Sequence, residues 1–292
     1  MNKKICILPV VSLVFISHIS MANPDVTSRE YKLLLEPSLF DHASEAAQVN
    51  NYFSTLKPII EQAIARDVTG TMSLDKTRTV KFFDTHASCQ LKRLGYAFRE
   101  RIYNGNSEVT LKFRSPDRYI ADFEDVSSPT QGAKTKLEAD MGVKGSNPFN
   151  VVYSHSTKAP NTRTINNFKD INTHFPEFES TYGLSDAVPL AQVGNLTITE
   201  QVYKGAHIDL GSFDAELSIT LWYAGTPLAN TLPLIAEASF KYEDNSADYS
   251  KKVVQRAKLA FEGMQTINAW NATNATTKTQ SVYQYNPNFC TQ

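Results

Sequence analysis

A hairpin-like segment in the first half of the chain carries cations within two runs that otherwise read as ordinary strands. The runs are YAFRERIY (96–103) and SEVTLKFR (107–114), and an Asn-Gly turn signal lies between them. Side chains two residues apart share a face of a strand, so Arg99 and Arg101 share one face. The second run has a polar face formed by Thr110, Lys112 and Arg114, and an opposite, apolar face formed by Val109, Leu111 and Phe113.

Other strand-like runs divide in the same way into a mixed-charge face and an apolar face. The mixed-charge faces are formed by Glu30 and Lys32 in the first run, by Lys136, Glu138 and Asp140 in the second, and by Glu237, Ser239 and Lys241 in the third. The matching apolar faces are formed by Tyr31, Leu33 and Leu35; by Leu137, Ala139 and Met141; and by Ala238, Phe240 and Tyr242. An open antiparallel sheet would bury the apolar faces and leave the charged faces in water. Alternatively, the strands curl so that charged faces line a cavity and helices cover the apolar outside. Charged side chains that point into a cavity cost free energy of folding unless they are paired with opposite charges or bind ions. The alternation of residues alone does not decide between the two architectures.

The chain beyond residue 22 has about 270 residues, enough for one large domain or two small ones. Apolar residues at helical spacing predict helices over about 44–67 and 246–268, and further strands are predicted near 28–36, 77–85, 118–124, 194–204, 206–223 and 234–243. Residues 145–190 contain four prolines and many Asn, Ser and Thr residues, which predicts a looped insertion with short helices. Residues 269–292 form a C-terminal tail, in which NATNATTKTQ (271–280) is predicted to be flexible.

The first 22 residues have the features of a secretory signal peptide. Lys3 and Lys4 precede an apolar stretch from Ile5 to Ile16, and Ser-Met-Ala at 20–22 is a small-x-small cleavage site. We therefore expect an exported, periplasmic or secreted protein that has no membrane association after cleavage. An uncleaved N-terminal membrane anchor is the alternative reading.

Cleavage would leave two cysteines, Cys89 and Cys290. Two cysteines in an oxidising compartment predict a single disulfide between an early helix and the C-terminal tail. Two unpaired thiols are the alternative, because spacing does not establish proximity.

The overall charge excludes a general nucleic-acid or anionic-membrane binder. The chain has 29 Lys and Arg residues against 30 Asp and Glu residues, and loss of Lys3 and Lys4 would make it slightly more acidic. Any anion site must therefore be local. P-loop, GxGxxG, GxSxG and HExxH patterns do not occur in the sequence.

The order of several motifs resembles the CYTH superfamily, the triphosphate tunnel metalloenzymes. EYK (30–32), FFDT (82–85), LKRLGYAFRER (91–101), VTLKFRSP (109–116), KTKLEAD (134–140), IDLGSFDAEL (208–217) and IAEASFKYE (235–243) follow one another as in that family. The match extends over most of residues 28–265. The order of the motifs is specific to the family, whereas the agreement at individual residues is weaker. The resemblance implies a single α+β domain over residues 23–268, a closed antiparallel β-tunnel with helices packed on the outside.

The resemblance also implies roles for individual residues. Phosphate oxygens would be contacted by Lys32, Arg99, Arg101, Lys112 and Lys136. Mg²⁺ or Mn²⁺ would be held by Glu30, Glu138, Asp140 and Glu237, with Glu30 and Glu138 as the catalytic carboxylates. The chemistry suits these residue types, because guanidinium groups match phosphate geometry and carboxylates suit hard divalent cations.

Three positions depart from the family pattern. Ser28 stands where the first Glu of the opening ExExK motif belongs, and Ser239 replaces the second acid of the closing strand. Gln201 occupies a place where an arginine is expected. Loss of the acid at position 28 is expected to weaken metal binding, and loss of the arginine at position 201 is expected to remove a phosphate contact. Both losses would affect catalysis more than the fold.

The sequence thus predicts a divalent-metal-dependent hydrolase of inorganic triphosphate or an organic triphosphate, in which a metal-positioned water attacks. Its partner would be a triphosphate-containing small molecule or polyphosphate. The alternative is an exported, non-catalytic module that binds polyphosphate or another polyanion. Adenylyl cyclase chemistry is a third reading, disfavoured for an exported chain that lacks an ATP supply.

Overall fold

The computed structural model describes residues 25–273 and 276–291, and the predicted signal peptide lies outside them. Ten strands are present: β1 (Ser28–Leu35), β2 (Val68–Asp84), β3 (Tyr96–Tyr103), β4 (Asn106–Ser115), β5 (Lys134–Lys144), β6 (Asn147–Asn161), β7 (Ala191–Gln192), β8 (Ile198–Asp209), β9 (Asp214–Ala224) and β10 (Ile235–Glu243). The α-helices are α1 (Glu45–Ile64), α2 (Gln90–Arg93), α3 (Arg118–Phe123), α4 (Phe168–His174), α5 (Pro176–Tyr182), α6 (Lys251–Gln265) and α7 (Lys278–Tyr285). Short 3₁₀ helices span Pro37–Leu39, Val193–Asn195 and Pro287–Cys290.

Nine of these strands form one closed ring. The order around it is β3-β4-β6-β5-β1-β10-β9-β8-β2, and pairing of β2 with β3 closes it, while the short β7 pairs with β2 outside the ring. Neighbouring strands in the ring run antiparallel except β1 and β5, which are parallel. The parallel pair sets Glu30 beside Asp140 and Ser28 beside Glu138.

The apolar strand faces lie on the outside of the ring, beneath helices. Helices α1 and α6 cover the side that includes β1, β9 and β10, where Tyr31 stacks on Phe240 at a ring-centroid distance of 4.7 Å and lies 5.6 Å from Phe261 of α6. Helices α4 and α5 cover β3 and β4, where Phe98 meets Phe175 edge to face. Burial of these faces is the dominant favourable term in folding, and it forces the charged faces inward.

The closed ring with external helices is therefore confirmed, antiparallel except at β1 and β5, and the open sheet with its charged faces in water is wrong. Among the described residues, none of the helices has both the length and the apolar character that crossing a membrane requires.

Glycines permit two sharp features of the ring. The β3–β4 hairpin turns through Asn104 and Gly105, whose φ values of 49° and 77° are those that a tight hairpin turn needs. On the opposite side, Gly70 of β2 and Gly205 of β8 lie so close that a Cβ on Gly70 would fall 2.0 Å from the carbonyl oxygen of Gly205. The strand register shifts at this approach, which bends the long β2–β8 ribbon.

The looped insertion predicted over 145–190 is wrong in its first part, because β6 occupies Asn147–Asn161 and pairs with both β4 and β5. Pro148 and Pro160 lie near the two ends of β6, so the prolines did not mark a loop. Helices α4 and α5 do occupy the second half of the segment. The strand predicted near 118–124 is instead α3, because the Asp117 side chain accepts hydrogen bonds from the amides of Tyr119 and Ile120 and caps a helix.

The C-terminal segment, residues 276–291, contains helix α7, which begins within the stretch 271–280 that was predicted to be flexible, so that prediction is wrong for residues 278–280. Val282 and Tyr283 of α7 are buried, and the Tyr283 hydroxyl donates a 2.7 Å hydrogen bond to Asp84. Asp84 also accepts hydrogen bonds from the backbone amides of Leu91 and Lys92, so one buried carboxylate joins β2, α2 and α7. Packing against the ring, which residue composition did not indicate, orders the segment.

The predicted disulfide between Cys89 and Cys290 is present, with the two Cα atoms 5.4 Å apart. It joins positions separated by 201 residues in sequence. We expect thiol titration of unfolded, non-reduced protein that begins at Asn23 to find no free thiol, and titration after reduction to find two. Two free thiols per chain before reduction would contradict the bond.

Candidate functional site

The inner face of the ring encloses a cavity of about 500 Å³. Twelve lysine and arginine side chains line this cavity against five glutamates. Asp140 and Glu237 lie close by and add two more acids, which still leaves an excess of positive charge. This cationic cavity lies inside a chain whose formal net charge is −1, so the positive charge is concentrated within the tunnel.

Three carboxylates meet on one side of the tunnel, where β1 and β5 run parallel. One oxygen each from Glu30, Glu138 and Asp140 lies within 4.8 Å of the others, and we call these residues the carboxylate group. Lys32 Nζ lies between two of them, 2.8 Å from Glu30 and 2.7 Å from Asp140. Ser154 on β6 donates a 2.7 Å hydrogen bond to Asp140.

Glu138 is the most enclosed member of the carboxylate group. Its oxygens lie 3.1 Å from Lys112 Nζ and 2.6 Å from Lys136 Nζ, and the Ser28 hydroxyl is 3.4 Å away. Burial opposes ionisation of this carboxyl, but Lys112 and Lys136 outweigh burial and lower the pKa of Glu138 to about 2. Burial likewise opposes ionisation of Asp140, and Lys32 and Lys112 hold the pKa of Asp140 well below its usual range. Both carboxylates are therefore charged at neutral pH.

The carboxylate group fits a hard divalent cation. Its donors are carboxylate oxygens from three residues, the ligand type that Mg²⁺ and Mn²⁺ prefer. A cation held there would share the two carboxylates Glu30 and Asp140 with the Lys32 ammonium. Glu237 does not belong to this group, because it pairs in register with Leu34, four residues and about 13 Å along β1 from Glu30.

A second part of the tunnel wall carries guanidinium groups. Arg78 on β2 and Arg101 on β3 both contact Glu200 on β8, at 2.6 and 3.1 Å. Trp222 Nε1 donates a 3.0 Å hydrogen bond to the same carboxylate. Burial opposes ionisation of Glu200, but Arg101 and Arg78 hold its pKa well below the usual range. Glu200 is therefore a charged anchor that fixes two arginines in place.

Arg99 differs from its neighbours because, among the described residues, no acid lies within ion-pairing distance of its guanidinium. Its only side-chain hydrogen bond in the described part of the chain is a 3.4 Å contact to Thr110, and its buried Nε has no partner there. Burial and then the positive charge of Arg101 lower the pKa of Arg99 well below its usual range. A cation in this position is poised to bind an anion.

Lys278 and Thr279 of α7 also line the tunnel, although their helix lies outside the ring. Lys278 Nζ lies 2.6 Å from Glu237 and 5.5 Å from the centre of the Trp222 ring. Thr279 accepts a 3.3 Å hydrogen bond from Arg114 on β4. The C-terminal segment thus covers one end of the tunnel, while Lys136 and Glu243, 39% and 48% exposed, lie toward open solvent.

The structure brings together most of the predicted site residues. All five predicted phosphate-binding cations line the same cavity: Lys32, Arg99, Arg101, Lys112 and Lys136. Of the predicted metal ligands, Glu30, Glu138 and Asp140 meet, and Glu237 pairs elsewhere.

The three departures from the family pattern have different consequences. Ser28 and Ser239 both lie on the inner face of the ring, where their hydroxyls take the place of carboxylates. Gln201 is not at a tunnel position, because its neighbours Glu200 and Val202 line the tunnel and Gln201 contacts Thr77 on the other face. The absence of an arginine at 201 therefore removes no contact from this cavity.

The sequence analysis did not assign several charged tunnel residues to the site, among them Arg78, Arg114, Glu200 and Lys278. The first three could have been found by extending the alternation of charged residues along β2, β4 and β8. Lys278 carries no such signal, because it is the first residue of a short helix in a segment rich in Asn and Thr.

The closed ring and the cations on its inner face are the arrangement that the order of the sequence motifs predicted. The chain has the fold that its resemblance to the CYTH superfamily implied. No family model matches the sequence, and no curated protein is significantly similar to it.

Similar solved structures include a candidate adenylyl cyclase of Hippeastrum with a dominant triphosphatase activity, and candidate adenylate cyclases of Bacillus halodurans and Vibrio parahaemolyticus. They are 14%, 13% and 9% identical to this chain, with TM-scores of 0.42, 0.40 and 0.36. The alignments cover 89%, 89% and 88% of this chain and 95%, 98% and 98% of theirs. Similarity at this level carries no information on chemistry, so the function must be argued from the site itself.

Proposed function

We propose that this protein is a divalent-metal-dependent hydrolase of inorganic triphosphate or of an organic triphosphate. The observation that carries the proposal is the cationic tunnel with three carboxylates on one side of its wall. An excess of buried cations is costly unless a polyanion neutralises them. The carboxylates would have no function toward an anion by themselves, but they would be required to hold a metal beside it.

Each set of residues would have a separate task in this reaction. Arg99 and Arg101 would grip phosphate oxygens through charge-assisted hydrogen bonds, and Lys32, Lys112 and Lys136 would neutralise the phosphates near the carboxylate group. Glu200 would keep Arg101 in place through its ion pair.

The carboxylate group would supply the metal site, with Glu30 and Glu138 as the ligands on which catalysis depends most. A divalent cation bound there would polarise a phosphoryl oxygen and provide a water of lowered pKa. Phosphoryl transfer requires positioning and charge neutralisation more than a covalent nucleophile, and the tunnel residues supply both.

A second candidate function is a module that binds a polyanion without cleaving it. This reading is favoured by Lys32, which already neutralises Glu30 and Asp140, and by Ser28 and Ser239, which replace carboxylates on the inner face. Under this hypothesis, the lysines satisfy the carboxylates and the arginines hold the ligand.

Phosphate release distinguishes the two functions. We expect release from at least one of tripolyphosphate, a nucleoside triphosphate or thiamine triphosphate in the presence of Mg²⁺ or Mn²⁺, and none in the presence of a chelator. Binding of tripolyphosphate without release under any metal condition would replace the hydrolase with the binding module.

Tripolyphosphate is also expected to stabilise the folded protein, because it neutralises the excess positive charge of the tunnel. If it binds only the folded state, the stabilisation is about 2.7 kcal/mol at a concentration a hundred times the dissociation constant. Thermal unfolding with chelator present, in tripolyphosphate and in a chloride solution of equal ionic strength, measures this effect. An unchanged midpoint at millimolar tripolyphosphate would contradict anion binding in the tunnel.

We further propose that the protein acts outside the cytoplasm, after cleavage before Asn23. The bond between Cys89 and Cys290 supports this location, because structural disulfides persist in oxidising compartments. N-terminal sequencing of the protein recovered from a bacterial periplasm or a culture medium tests the cleavage site.

A further inference from the structure

We propose that Lys278 is an additional phosphate-contacting residue of the tunnel, carried into it by the C-terminal segment and positioned by Glu237. The inference deepens the proposed function and rests on it, since it assigns a further ligand contact to the same cavity. It also gives Glu237 a different role from metal binding.

The placement of Lys278 is unusual because its helix is not part of the ring. The Lys278 side chain nevertheless lines the cavity, with 22% of its surface exposed, so it is neither buried in the external core nor free in solvent. The next residue, Thr279, contacts Arg114, which belongs to the tunnel wall. Two consecutive residues of α7 therefore face the inner surface of the tunnel.

Glu237 explains how the ammonium is held in this position. Its carboxylate is buried and lies 2.6 Å from Lys278 Nζ, while the Trp222 ring lies 5.5 Å from the same nitrogen. An ion pair and a cation–π contact fix the ammonium but leave donor N–H groups for a ligand, because an ammonium has three. Arg101 is held in the same way by Glu200 on another part of the wall.

The C-terminal segment is anchored firmly enough to hold a side chain in a binding site. Tyr283 is hydrogen bonded to the buried Asp84, and Cys290 is covalently joined to Cys89. Val282 and Phe289 pack in an apolar cluster with Phe82. A lysine on a mobile tail would lose much conformational entropy on binding, whereas Lys278 is already ordered.

The position of Lys278 suits a ligand longer than a single phosphate. The carboxylate group lies near strand residue Glu30, and Glu237 lies four residues further along the β1–β10 pair, about 13 Å away. A ligand that reaches both the carboxylate group and Lys278 must extend along the tunnel, as a chain of linked phosphates does.

The test uses binding of tripolyphosphate measured by calorimetry in the presence of chelator, so that it does not depend on turnover. Lys278→Met is expected to weaken affinity about tenfold, because it removes one charge-assisted contact. Lys278→Arg should retain most of the affinity, since the guanidinium preserves the charge and can still pair with Glu237. Lys258→Met is the control, because Lys258 lies on the exposed face of α6 and, among the residues that the structure describes, pairs with Glu262 alone.

Removal of Lys278 alone leaves Glu237 buried and unpaired, so a second variant, Lys278→Met with Glu237→Gln, removes both charges together. The double variant should fold and show the same weakened binding. Affinity equal to that of wild type in the double variant would overturn the inference. The inference would also be overturned if Lys278→Arg bound as weakly as Lys278→Met, because the residue would then act through shape rather than charge.

The outcomes for wild type separate this inference from the hydrolase proposal. If wild type binds tripolyphosphate and releases no phosphate with any metal, the hydrolase is wrong while the variant series still decides the role of Lys278. If wild type does not bind tripolyphosphate, both proposals are overturned.

Discussion

Glu138→Gln is expected to lower metal-dependent phosphate release by about a thousandfold, equivalent to about 4 kcal/mol of transition-state stabilisation. The substitution keeps the size of the side chain but removes one negative charge from the carboxylate group. A site with two remaining carboxylates beside Lys32 would hold a divalent cation weakly.

Binding of tripolyphosphate without metal should respond in the opposite direction. Glu138 neutralises Lys112 and Lys136, which lie 3.1 and 2.6 Å from it. The glutamine variant releases these two ammonium groups for phosphate, so its affinity measured in chelator should equal or exceed that of wild type. The measurements are calorimetry in chelator and phosphate release across a Mn²⁺ titration, on protein shown to be folded.

The control is Glu216→Gln, which removes the same charge from a tunnel glutamate outside the carboxylate group. Glu216 pairs with Lys204, so its loss should change turnover less than about tenfold. Equal losses in the two variants would show that turnover depends on the total charge of the tunnel, and the carboxylate group would lose its assigned role.

Arg99→Met is expected to weaken tripolyphosphate binding by about ten- to a hundredfold while leaving the free protein as stable as wild type or more stable. A charge-assisted contact is equivalent to about 1.5–3 kcal/mol, which gives the loss of affinity. Arg99 has no acidic partner among the described residues and lies near Arg101, so the ligand-free protein loses a repulsion rather than an attraction. Methionine retains much of the apolar stem that Arg99 packs into the wall.

Arg101→Met is the matched comparison on the same strand. It should weaken binding to a similar degree, but it should also destabilise the free protein by about 1–3 kcal/mol, because the buried Glu200 loses one of its two arginine partners. Thermal unfolding without ligand and calorimetry with tripolyphosphate separate the two effects. If both Arg99→Met and Arg101→Met bind like wild type, the cations on β3 do not contact the ligand and the proposed phosphate site is wrong.

The sequence was sufficient to predict which side chains share a face. The period of two along strands placed Arg99 with Arg101 and Glu138 with Asp140, and local turn chemistry located the β3–β4 hairpin. The two cysteines outside the predicted signal peptide also indicated their own pairing, because no other cysteine competed for either of them. These inferences depend on short-range geometry, which the order of residues determines directly.

Only the tertiary structure decided which face is buried and which distant residues meet. Alternation is the same in an open sheet and in a closed ring, and the ring is selected because α1, α4, α5 and α6 cover the apolar faces from outside. The carboxylate group requires β1 and β5 to run side by side, although Glu30 and Asp140 belong to strands that are far apart in sequence. Lys278 reaches the tunnel because its helix is packed against the ring and held by a disulfide, although the residue composition of this segment predicted a flexible tail. Such long-range contacts follow from the packing of the whole domain, and a single sequence carries no local signal for them.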